Sequence, residues 1–99
     1  MKEIIEKIRA EVEKCKETGN LFTMPHMDEV EFIETKCPSG GGTLLHIEYD
    51  ITLPDGGTIN IDYQSKDKCR TFQMRPDRSY IEVKCSDDQY NFRDGWDEK

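Results

Sequence analysis

The stretch HIEYDITLPDGGTINIDYQ, residues 46–64, alternates apolar and polar side chains on both sides of a PDGG turn, which predicts an antiparallel hairpin. Ile47, Tyr49, Ile51 and Leu53 share one face of the first arm, and Ile59, Ile61 and Tyr63 share the same face of the second. One side of this hairpin therefore belongs to a core and the other to solvent. Placing Ile51 opposite Ile61 and Leu53 opposite Ile59 sets Asp50 against Asp62. Like charges directly across an antiparallel pair destabilise it by a few tenths of a kcal/mol.

The same alternation begins near Asp28 and continues to Cys85. It predicts five short strands at about 29–36, 43–53, 58–65, 69–75 and 80–85, separated by CPSGGG, PDGG, a KDK tip and PDRS. Before them, Ile5, Ile8, Val12 and Cys15 recur at intervals of three and four. Residues 2 to about 17 thus read as an amphipathic helix, with Ile4 widening the stripe and Gly19 as its stop. The connector NLFTMPHMD offers Leu21, Phe22 and Met24 to the edge of the sheet. Connections this short favour antiparallel neighbours. The expected fold is α+β: an N-terminal helix on one face of a five-stranded antiparallel meander, formed by residues 1–85 as a single domain, with 86–99 as an acidic-aromatic tail.

Pairing Phe32 with Ile47, Ile51 with Ile61, Ile61 with Met74 and Phe72 with Val83 keeps the apolar residues together. Val30, Phe32, the inward residues of the hairpin with Leu45, Phe72, Met74, Ile81, Val83 and Cys85 then face the helix, and Cys69 points outward. On the outer face one row reads Glu29, Asp50, Asp62, Gln73, Glu82, and the next reads Glu31, Glu48, Gln64, Thr71, Lys84. Glu29, Glu31, Glu48, Asp50 and Asp62 form one expected acidic patch over three strands.

Charge is unevenly distributed in this 99-residue chain of net charge −7. Residues 28–62 carry eight acids against Lys36 alone, whereas residues 63–85 carry three acids against six bases. Such a field repels nucleic acid and anionic membrane and attracts basic protein surfaces or cations. No apolar run approaches the ~18 residues of a membrane span, and MKEIIEKIRAEVEK lacks an uncharged signal core, so a cytoplasmic location is expected. Cys15, Cys37, Cys69 and Cys85 show no CxxC spacing and read as free thiols.

Chemistry-bearing motifs are sparse. His26 and His46 match no zinc spacing, and His46 is expected outward beside Ile33 and Lys66 as an ordinary surface histidine. No D-x-D-x-D-G loop is present, and SGGG lacks the lysine and helix of a phosphate loop. Neither an apolar pocket for a general acid nor a Cys/His pair with an orienting third group is indicated. The expectation is a non-enzymatic chain with no catalytic residues, cofactor or metal. Lys66, Lys68 and Arg70 read as a solvated hairpin tip. In the tail, Trp96 with Tyr90 and Phe92 is a candidate partner anchor.

A helix followed by an antiparallel meander resembles the cystatins in outline. Their Gln-x-Val-x-Gly hairpin has no counterpart here, and Trp96 follows Gly95 rather than a proline. The resemblance implies, as an alternative, a protease inhibitor acting through loops such as Gly40 to Gly42 and Pro54 to Gly57. The leading expectation is a different one: a binding module whose Glu29, Glu31, Glu48, Asp50, Asp62 and Trp96 engage a basic protein. It would mimic the charge of nucleic acid and block a nuclease or another nucleic-acid-binding protein, in the manner of anti-defence inhibitors. The chain itself would bind neither nucleic acid nor membrane, and would be a monomer or an edge-paired homodimer.

Overall fold

The computed structural model describes residues 1–28, 30–38, 44–66 and 77–95. Helix α1 (Lys2–Thr18) is followed by strands β1 (Glu31–Pro38), β2 (Leu44–Thr52), β3 (Thr58–Lys66), β4 (Asp77–Cys85) and β5 (Phe92–Gly95). The strands form one antiparallel sheet in chain order, and the fold is α+β.

The helix forms where its sequence spacing requires. Ile5, Ile8, Val12 and Cys15 are its buried residues, and Gly19 closes it at φ 76°, donating its N–H to the Cys15 carbonyl at 2.8 Å. Positive φ at that position is what glycine allows without a Cβ clash. Against this stripe the sheet presents Ile47, Tyr49, Ile51, Leu53, Ile59, Ile61, Tyr63, Ile81 and Val83, all buried. Phe22 from the connector is fully buried among them, its ring 6.0 Å from Tyr49 and 5.8 Å from Tyr63. The Tyr63 hydroxyl, buried in the same cluster, lies 3.5 Å from Ser79 Oγ. Burial of Phe22 fastens the segment after the helix to the sheet.

Register departs from expectation at every strand pair. Between β2 and β3, Ile51 faces Ile59 and Tyr49 faces Ile61, a shift of two residues that sets Asp50 opposite Asn60 instead of Asp62. The turn is the cause. Gly56 donates to the Leu53 carbonyl at 2.9 Å, Leu53 donates to the Gly57 carbonyl at 2.8 Å, and Gly56 sits at φ 96°. A three-residue loop ending in a left-handed glycine is a favoured hairpin closure, tighter than the five-residue loop that the expected pairing requires. Asp55 accepts the Gly57 N–H at 2.9 Å and braces it.

Between β1 and β2, Phe32 faces Ile51 instead of Ile47, and pairing extends to Pro38 opposite Leu45. The ladder has as many pairs as the expected one but is displaced by four residues along β2, which brings Phe32 against the Tyr49 ring. Phe32 was expected beneath the helix. It stays on that face but lies on an edge strand, 42% exposed, with its ring 5.7 Å from Tyr49.

The strand expected over 69–75, with Phe72, Met74 and outward Cys69, lies outside the described residues. The strand expected fifth pairs directly with β3 as β4, so Ile61 faces Val83 instead of Met74. The fifth strand comes from the stretch expected as tail: Phe92 to Gly95 pairs along the outer edge of β4, with Val83 opposite Phe92 and Glu82 opposite Arg93. A 3-10 turn at Asp88–Tyr90 makes the reversal, and Asn91 accepts the Cys85 N–H on its side chain. β5 also meets the helix. The Arg9 guanidinium lies 4.1 Å from the Phe92 ring centroid, and Lys16 bridges to Asp94 at 3.0 Å.

Cys15 is a free, buried thiol, and Cys85 is free and half-buried on the helix-facing side. Burial above all, aided by the Glu11 carboxylate, pushes the Cys15 thiol up to about 11, which makes it a poor nucleophile at neutral pH. Among the described residues no helix is long and apolar enough to cross a membrane.

Candidate functional site: the outer face of the sheet

The helix packs on one side of the sheet, and among the described residues no second helix covers the other. With the observed register, Thr35, Glu48, Asp62, Glu82 and Arg93 stand in one row across five strands. Ile33, Asp50, Asn60 and Lys84 form the row on one side of it. Cys37, His46, Gln64, Tyr80 and Gly95 form the row on the other. Adjacent strands lie about 4.8 Å apart, so three carboxylates stand in consecutive positions at the centre of the face.

Each acid has its own surroundings. Asp62 has Glu48 on one flank and Glu82 on the other, and its Oδ1 lies 2.7 Å from His46 Nε2. Glu82 accepts a hydrogen bond from the Tyr80 hydroxyl at 2.9 Å, and the Arg93 guanidinium lies 5.3 Å from the Tyr80 ring centroid. Partial burial raises the Tyr80 hydroxyl pKa, and the bond to Glu82 raises it further because the neutral phenol is the donor. Asp50 is not in conflict with another acid. Its Oδ1 accepts from Asn60 Nδ2 at 2.7 Å.

Of the residues expected to form the patch, Glu48 and Asp62 are brought face to face, and Asp50 stands one row away. Glu31 lies opposite Thr52, two rows from Glu48, so it is not part of the cluster. Glu29 and Trp96 lie outside the described residues. Glu82 was expected on this face without being chosen for the patch, and the structure sets it in the central row. His46, expected beside Ile33 and Lys66, instead has Cys37 and Gln64 opposite it and reaches diagonally to Asp62. His26 bonds to Asp28 at 2.9 Å, with both side chains about nine-tenths exposed.

The signal that places these residues was present in PDGG. Reading it as a three-residue loop closed by a left-handed glycine puts Leu53 against Gly57, and counting back then places Glu48 opposite Asp62.

His46, Glu48 and Asp62 offer one imidazole nitrogen and two carboxylates whose candidate ligand atoms all lie within 4.8 Å of one another. Compared with known protein families, curated proteins and solved structures, the chain matches none.

Proposed function

We propose that the chain is a non-enzymatic binding module whose outer sheet face engages a basic protein surface. The observation that supports this is the central row, where Glu48, Asp62 and Glu82 occupy consecutive strands on the face away from the helix. Crowding three like charges weakens the free domain at positions where Thr or Lys would serve the sheet as well. The repulsion becomes attraction once a cationic surface covers it. Carboxylates repeated along a rigid face resemble a run of phosphates, so the concrete form of the proposal is competition for a nuclease or other nucleic-acid-binding protein in the cytoplasm. Association by this route is fast and falls as salt rises.

The test is capture from a cell lysate on immobilised chain, in chelator, at low and high salt, with captured proteins challenged by DNA. A basic partner should be retained at low salt and displaced by DNA. It should be lost when Glu48→Gln, Asp62→Asn and Glu82→Gln are combined. A partner held equally by that triple variant, or insensitive to salt, overturns the reading.

A further inference from the structure

We propose that His46, Glu48 and Asp62 form a three-ligand site for a first-row divalent transition-metal ion, with Zn²⁺ as the natural occupant. The inference goes beyond the docking reading; an ion held by Glu48 and Asp62 would cancel their charge, so docking belongs to the metal-free face and the two are tested apart.

The backbone produces the convergence. His46 and Glu48 are two residues apart on β2 and project from the same face, and Asp62 on β3 stands directly opposite Glu48 and diagonally across from His46. Both strands are central, flanked by β1 and β4, so the ligands rise from the best-supported part of the sheet. The His46 and Asp62 side chains are about one-third and one-quarter exposed, 32% and 27%, which limits the positions they can take. Their Nε2 and Oδ1 atoms are already 2.7 Å apart, and the Glu48 ligand atom completes a set within 4.8 Å.

Zn²⁺ holds nitrogen and oxygen ligands at about 2.0–2.2 Å, which in tetrahedral geometry places neighbouring ligand atoms roughly 3.3–3.6 Å from one another. The His46–Asp62 pair, 2.7 Å apart, needs to open by less than about 1 Å. Glu48, on a longer and more flexible stem, closes the remaining distance. Ligation through Nε2 leaves the imidazole proton on Nδ1, and the ion takes the place of the hydrogen bond to Asp62. Three protein ligands leave a fourth position for water or an incoming group.

The chemistry of the donors selects the class of ion. Two carboxylates offset a dication's charge, and they are the two that repel each other when it is absent. An imidazole is a poor ligand for Ca²⁺ or Mg²⁺, which prefer all-oxygen shells, and a good one for Zn²⁺, Co²⁺ or Ni²⁺. The imidazole is what separates this cluster from the acids around it: Asp50 is bonded to Asn60, and among the described residues it joins no such group.

The site is tested by titrating the full reduced chain with Zn²⁺, read by calorimetry and by the His46 imidazole resonances in NMR spectra. We expect one ion per chain with a direct shift of His46. His46→Gln and Asp62→Asn should each weaken affinity by about tenfold or more, while Asp50→Asn should change it by less than about twofold. Co²⁺ substitution distinguishes this site from the cysteines, because a thiolate adds an intense near-ultraviolet charge-transfer band that nitrogen and oxygen ligands lack. That band, unperturbed His46 resonances, or undiminished affinity in folded His46→Gln and Asp62→Asn overturns the site. Because partner capture is run in chelator, loss of the metal site leaves the docking result standing, and the reverse also holds.

Discussion

The two faces of the sheet differ in what fixes them. The helix-facing side is a set of residues, and the outer side is a set of neighbours. Every register difference between expectation and structure in β1, β2 and β3 is an even number of residues. Phe32 moves from Ile47 to Ile51 and Ile51 moves from Ile61 to Ile59, so each inward side chain stays inward. Cross-strand partners change all the same. On the inner face the change is absorbed by one continuous apolar core. On the outer face it replaces an Asp50–Asp62 conflict by Asp50–Asn60 hydrogen bonding and assembles Glu48, Asp62 and Glu82 in a row. Membership of a face follows from parity, while chemistry on that face follows from register.

The strongest perturbation of this contrast is on the inner face. Phe22→Ala removes a fully buried ring wedged against Tyr49 and Tyr63, and should cost about 3–5 kcal/mol, read as a lower denaturant midpoint. A loss below about 1 kcal/mol would mean that the connector is not part of the core.

The turn that sets the outer rows comes next. Gly56→Ala places a Cβ on a residue at φ 96°, in open space, so strain is backbone strain alone and the expected loss is about 1–2 kcal/mol. An unchanged midpoint would mean that the hairpin closes by some other loop, and the rows would fall with it.

The smallest effects discriminate best between registers. In the observed pairing Glu48→Gln relieves the repulsion against Asp62 and should stabilise the domain by about 0.5 kcal/mol. Asp50→Asn exchanges the charged acceptor of the Asn60 amide for a neutral one and should be neutral or slightly destabilising. The register with Asp50 opposite Asp62 requires the opposite order. Paired denaturant melts of the two variants decide between them.

β5 shows a different limit of sequence reading. It has four residues, of which Phe92 alone is apolar apart from glycine, and it lies in an acidic stretch, so no period-two pattern marks it. It becomes a strand because β4 offers an unpaired edge and because Arg9 and Lys16 of the helix meet Phe92 and Asp94. Those partners are scores of residues away in sequence. The helix, by contrast, carries its own specification in the spacing of Ile5, Ile8, Val12 and Cys15 and in Gly19 at its end.

By itself the amino-acid sequence determined the helix, the central hairpin, the antiparallel class and the inward or outward assignment of each described strand residue it read, because these depend on local periodicity and turn chemistry. Tertiary structure decided which acids are neighbours, that His46 reaches Asp62, and that Phe92 to Gly95 closes the sheet. A two-residue slip leaves every hydrophobic pattern intact, so pattern alone cannot rank the alternatives. The closure of the Pro54–Gly57 turn and the ladder of backbone hydrogen bonds choose among them.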